Sequence, residues 1–132
     1  MLKTLQPKHW KKPRGYACGI AGSGEIICVS GQVGWNEEYV FESASFVDQA
    51  RQALKNIVAV LEEAGSGPSH IARMTWYVTD KKEYLASYKE LGLAYREVMG
   101  KHFPAMTAVE VKALMEDEAK LEIEVTAIKP PG

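Results

Sequence analysis

Residues 45–79 read SFVDQARQALKNIVAVLEEAGSGPSHIARMTWYVT, and within this stretch the hydrophobic period changes. Phe46, Ala50, Ala53, Leu54, Ile57, Val58, Leu61 and Ala64 fall on one stripe of a helix. Ser45 with Asp48 resembles a capping box, in which side chains satisfy the amide hydrogens orphaned at a helix start, and Gly65 suits the far end. From Ala72 the period becomes two. Ala72, Met74, Trp76 and Val78 alternate with Arg73, Thr75, Tyr77 and Thr79, so a strand with one apolar face follows the helix.

Working outward, a second helix is predicted from Asp80, with Glu83 in its first turn and a stripe through Tyr84, Tyr88, Leu91, Tyr95 and Val98 up to Gly100. That tyrosine stripe has the spacing of buried packing and reads as core. Two further strands are expected at Met106–Val111 and Lys120–Ile128, with Glu116, Asp117 and Glu118 as a solvated turn between them. Upstream, Tyr16–Ala21 and Glu25–Gly31 read as a β-hairpin around Gly22-Ser23-Gly24. Those glycines lack the third glycine and the following helix of a dinucleotide-binding loop. The order of two strands, helix, strand, helix and two strands predicts an α+β fold, a mixed sheet with two helices packed on one face.

The 132 residues are enough for one core, so residues 1–132 are expected to form a single domain, with short tails at 1–14 and 129–132. Apolar residues at 46% and charged residues at 25% are the proportions of a chain that folds. A net charge of -1 offers no field to gather a phosphate backbone, so nucleic acid is not an expected partner. No segment has the length of a membrane span, and the lysine-bearing start has no apolar run of a secretory leader. Cys18 and Cys28, flanked by apolar residues, suit reduced, buried thiols in the cytosol. His9, His70 and His102 show no metal-ligand spacing.

The last predicted strand carries Glu122, Glu124 and Thr126 opposite Leu121, Ile123, Val125 and Ala127, and this polar face needs an occupation. It belongs to an ordered set: Val29-Ser30-Gly31-Gln32, Gln49-Ala50 with Leu54-Lys55-Asn56, Ala64-Gly65, Pro104-Ala105, Val109-Glu110-Val111 and Leu121-Glu122-Ile123-Glu124. With this set the chain resembles the Rid family (reactive intermediate deaminase, YjgF-like, also labelled L-PSP endoribonuclease-like) from about Tyr16 to Ile128. No one motif is specific; the order over nearly the whole domain is. The resemblance implies a chorismate-mutase-like homotrimer with small-molecule clefts between subunits, no cofactor and no metal. It also implies hydrolysis of reactive enamines or imines to a carbonyl compound and ammonia.

Carried over position by position, the resemblance makes Tyr16 the residue that closes the cleft, Ser30 and Gly31 its wall, and Glu122 the catalytic acid that orients the attacking water. Trp35 and Ala108 complete the expected substrate-binding set. The residue after Pro104-Ala105 is an arginine in the family, holding the substrate carboxylate, but here it is Met106. A paired, charge-assisted contact contributes about 1.5 to 3 kcal/mol and a thioether cannot replace it. Gly92 is a second departure, standing where many deaminase-active members have asparagine. Arg73 and Arg96 are candidate substitutes for the missing cation, although each is also readily explained as a surface charge. Two readings follow, a deaminase with a non-standard substrate or a trimer that binds a metabolite without chemistry. The ribonuclease label of some relatives is disfavoured by the near-neutral charge and the lack of a basic stripe.

Overall fold

The alternation that predicts the central strand also decides which face of the sheet is covered. In the computed structural model, which describes residues 2–132, the strands are β1 (Lys3–Leu5), β2 (Gly19–Ala21), β3 (Glu25–Val33), β4 (Ile71–Val78), β5 (Ala105–Glu110) and β6 (Leu121–Lys129). The helices are α1 (Phe46–Glu63), α2 (Lys81–Ala86) and α3 (Tyr88–Met99). The main sheet has the order β3-β6-β4-β5, with β4 and β5 parallel and β6 antiparallel to both its neighbours. Met74, Trp76, Val78, Leu121, Ile123 and Val125 point to the helices and are buried. The fold is α+β with a mixed sheet, as expected.

Both predicted helix starts are capped as their sequences require. Asp48 N donates to Ser45 Oγ, and the amides of Lys82 and Glu83 donate to Asp80 Oδ1. Gly65 and Gly100 follow their helices with φ of 66° and 72°, a conformation in which a side chain would be strained. Helix α1 buries Phe46, Ala50, Ala53, Leu54, Ile57 and Leu61. Gln49, 1% exposed, joins this helix to the chain before β6: its Nε2 donates to Ser43 O and Glu118 O, and its Oε1 accepts from Lys120 N.

Four expectations are corrected. The second helix is broken at Ser87 into α2 and α3, and Tyr88 is exposed while Tyr84 is half-buried. The strands flanking Gly22-Ser23-Gly24 do not form a hairpin: β2 pairs with β1, inside the segment expected to be a tail, and β3 pairs with β6. A tight hairpin needs left-handed backbone at its centre, but of these three residues only Gly24 has positive φ (147°), and a side chain there would collide with Lys129 O. Lys129 itself ends β6, and its Nζ donates to Ala64 O at the end of α1, where a cation suits the helix dipole. Cys18 and Cys28 are exposed, not buried; Cys28 pairs with Thr126 on the face away from the helices.

That second face is open. Cys28, Arg73, Thr107, Val109 and Glu124 are exposed on it, Tyr77 Oη donates to Glu124 Oε1 at 2.6 Å, and Arg73 Nη2 donates to Thr126 Oγ1 at 3.4 Å. Hydrogen bonding to the Glu124 carboxylate is the main reason the Tyr77 phenol is held above its ordinary pKa. Among the described residues no helix is long and apolar enough to cross a membrane.

Candidate active site

The residues singled out by sequence fall into two groups. The first forms around a defect in β3. Between Val29 and Gln32 the register with β6 shifts, leaving Ser30 and Gly31 without ladder partners. Gln32 Nε2 turns back to donate to Ser30 O and Oγ at 3.1 and 3.3 Å. A Cβ on Gly31 would collide with the Glu122 carboxylate, so the glycine leaves the space that the acid occupies. Glu122 is half-buried and pairs in register with Val33 on one side and Tyr77 on the other. Trp35 follows β3, stacked on Tyr39 with ring centroids 4.5 Å apart, and its carbonyl accepts from Asn56 Nδ2.

The second group surrounds a cavity of about 330 Å³ between α2, α3 and the β4–β5 edge. Trp76, Tyr84, Tyr88, Tyr95, Phe103 and Met106 form its walls. Met106 reaches it because β5 runs parallel to β4 with Met106 opposite Met74, on the helix side. Tyr88 meets Tyr84 edge-on at 5.9 Å, and burial raises the Tyr84 phenol pKa above its ordinary value. Tyr84 and Tyr88 therefore line a cavity and do not simply extend the core. Tyr16 lies beside this opening: Gly15 before it lines the cavity, and Ala17 after it donates to Pro104 O and pairs with Ala105. Ala108 is exposed farther along β5, opposite Trp76.

Of the two candidate replacement cations, Arg96 lines the cavity with Met106, whereas Arg73 faces the open side of the sheet. Gly92, the second departure noted in the sequence, also lines the cavity. Sequence reasoning missed Arg14 at the rim and Trp76 in the wall. Trp76 is 3% exposed and its Nε1 has no hydrogen-bond partner among the described residues, which costs about 1 to 3 kcal/mol for a buried donor. Strand alternation places Trp76 on the inner face, but no sequence signal counts the partners of an indole.

One chain keeps the two groups apart. Glu122 belongs to the open face and Met106 to the helix face, with β4 between their strands. Two strand spacings amount to about 10 Å, and the pairs Tyr77–Glu122 and Met74–Met106 displace them further along the sheet.

Residues 11–129 match the family model Endoribonuclease L-PSP. A RutC family protein of Aquifex aeolicus is 39% identical over 133 residues, covering 98% of this chain and 100% of the relative. The 2-iminobutanoate/2-iminopropanoate deaminase of Escherichia coli K12 is 34% identical, with coverage of 98% and 99%. Among solved structures, YyfB of Yersinia pestis, described as a protein of unknown function of the conserved Rid family, superimposes with a TM-score of 0.83. It shares 27% identity, with coverage of 97% and 98%. With most of its length matched by the family model and by full-length relatives, the chain belongs to the Endoribonuclease L-PSP family, the group also known as Rid or YjgF-like.

Proposed function

We propose that the protein is a hydrolytic deaminase of reactive imines or enamines, acting in the cytosol as a homotrimer without metal or cofactor. Each cleft takes Ser30, Gly31 and Glu122 from one copy, with Trp35 at its margin, and Tyr16, Met106 and Ala108 from the next. The observation that carries this reading is the space at Gly31 filled by the Glu122 carboxylate, which gives a partly desolvated acid a defined position beside a strand defect. A relative named as a 2-iminobutanoate/2-iminopropanoate deaminase supports the reaction class. The opposite facing of Met106 and Glu122 supports the shared cleft, because only a second copy can bring them together. The two unbonded cysteines fit a reducing compartment.

In the proposed reaction Glu122 accepts a proton from water as the water oxygen bonds to the carbon of the protonated imine, giving a neutral carbinolamine. Glu122 then returns that proton to nitrogen, and as the carbon–nitrogen bond breaks the hydroxyl proton passes to the carboxylate, leaving a carbonyl compound and ammonia. Orientation of water is the main task, since imine hydrolysis has a low intrinsic barrier. Met106 offers no charge at the position where the family places arginine, so small 2-imino acids should be poor substrates.

The test mixes the protein with imines generated by amino-acid oxidases and follows imine decay with ammonia release. Wild type is expected to accelerate decay, and Glu122→Gln to lose about 100-fold or more. Equal rates for the two proteins would overturn the role of Glu122. The apolar Met106 also favours a second reading, a trimer that binds a metabolite without chemistry. A ligand that raises the melting temperature while no imine is ever turned over would decide for that alternative.

A further inference from the structure

The cavity beside β5 is equipped for more than an apolar guest. Five aromatic residues, Trp76, Tyr84, Tyr88, Tyr95 and Phe103, contribute to its lining. Its rim holds three cations, Arg14, Lys89 and Arg96, none of which takes part in an ion pair among the described residues. An arginine in the last turn of a helix is ordinary, since it complements the helix dipole. The direction of Arg96 is what separates it from that ordinary case. A Cβ on Gly92 would lie 3.9 Å from Arg96 Nη1, so the guanidinium reaches back over the preceding turn at the cavity wall.

We propose that this cavity binds a planar aromatic carboxylate, with Arg96 holding the carboxylate and Tyr88 and Tyr84 contacting the ring. The inference rests on the deaminase reading for its biological sense: the substrate is then a 2-imino acid with an aromatic side chain. The anion grip has moved from strand position 106 to helix α3, where Gly92 and Arg96 both line the cavity. A volume of about 330 Å³ lies at the lower end of small-ligand sites, enough for a bicyclic ring with a short acidic arm. Tyrosine and tryptophan rings supply flat contact area. The guanidinium is permanently charged and matches a carboxylate with two parallel hydrogen bonds, which methionine cannot do. The three rim cations also draw an anion toward the mouth, an attraction that salt weakens.

Isothermal titration of the full-length protein with indole-3-acetate tests this, with indole and acetate as controls. Indole-3-acetate is expected to bind about tenfold or more tightly than either control, because ring and charge are both recognised. Arg96→Gln should lose about tenfold or more in affinity for indole-3-acetate and none for indole. Tyr88→Ala should weaken both. Equal affinity of wild type and Arg96→Gln for indole-3-acetate, or no binding to wild type, would overturn the proposal. Glu122→Gln keeps this inference separable from the reading it rests on, since it should still bind indole-3-acetate. Imine turnover without indole-3-acetate binding defeats the aromatic carboxylate alone; binding that depends on Arg96, without turnover of any imine, defeats the deaminase alone.

Discussion

Gly31 and Glu122 act as a pair, and the smaller residue decides where the larger one sits. A methyl group at position 31 would meet the end of a flexible carboxylate rather than backbone, so the acid can swing away at little cost in stability. Gly31→Ala is therefore expected to unfold within about 0.5 kcal/mol of wild type in urea while losing at least about tenfold in kcat for imine hydrolysis. Unchanged turnover would show that the acid's position is unimportant. At Tyr95 the chemistry concerns pH. Its phenol is buried, donates to His102 O at 2.7 Å, and is held well above its ordinary value of 10.0 by desolvation. Below that value folded and unfolded chains are both protonated there; above it the unfolded chain releases the proton first, so stability falls as pH rises. Thermal unfolding between about pH 9 and 11 should show this decline, and Tyr95→Phe should make it shallower while costing about 1 kcal/mol at neutral pH. An equally steep decline in the variant would reject Tyr95 as its source. The sequence made Glu122 legible through its motif, but the orphaned Trp76 indole and the exposed Cys28 thiol depend on neighbours that no local pattern reveals.

At the scale of elements, the most legible parts were those whose signals are local. The stripe of α1, its Ser45 cap and the glycine that ends it all follow from residues within a few turns of one another. The same holds for β4, whose alternation is reproduced in its burial. Reading failed where the partner lies far along the chain: β2 joins β1 and not β3, and the helix predicted from Asp80 bends at Ser87, turning Tyr88 outward. Gln49 joins the two kinds of information, being a local helix residue with one hydrogen bond to nearby Ser43 and two that fix a distant turn. Gln49→Ala would leave the Glu118 carbonyl and the Lys120 amide without these partners. A loss of about 2 to 4 kcal/mol is expected by urea denaturation, whereas Lys55→Ala at an exposed position of the same helix should stay within about 0.5 kcal/mol. A Gln49 variant as stable as wild type would show that the network contributes nothing.

For the whole molecule, the question is how a sheet with one open face and two separated groups of candidate residues would form the proposed catalyst. The half-sites lie toward opposite edges of the strand order β3-β6-β4-β5, so a copy can offer its β5 side to one neighbour and its β3–β6 side to another. In the proposed trimer this head-to-tail contact closes into a ring, and three copies would have a mass three times 14.6 kDa by light scattering. The sharper consequence concerns mixtures. Let one variant carry Glu122→Gln and another Met106→Trp, which fills the cavity; each alone should be inactive, since every cleft has lost one of its two walls. In a mixed ring of three, one junction always joins the intact cavity of the first variant to the intact acid of the second. Random assembly from equal amounts makes about three quarters of the rings mixed, each with one working cleft in three, so the co-expressed pair should recover about one quarter of wild-type turnover. If both residues served a cleft within the same copy, no mixture could rebuild a site, and the pair would be as inactive as its parents.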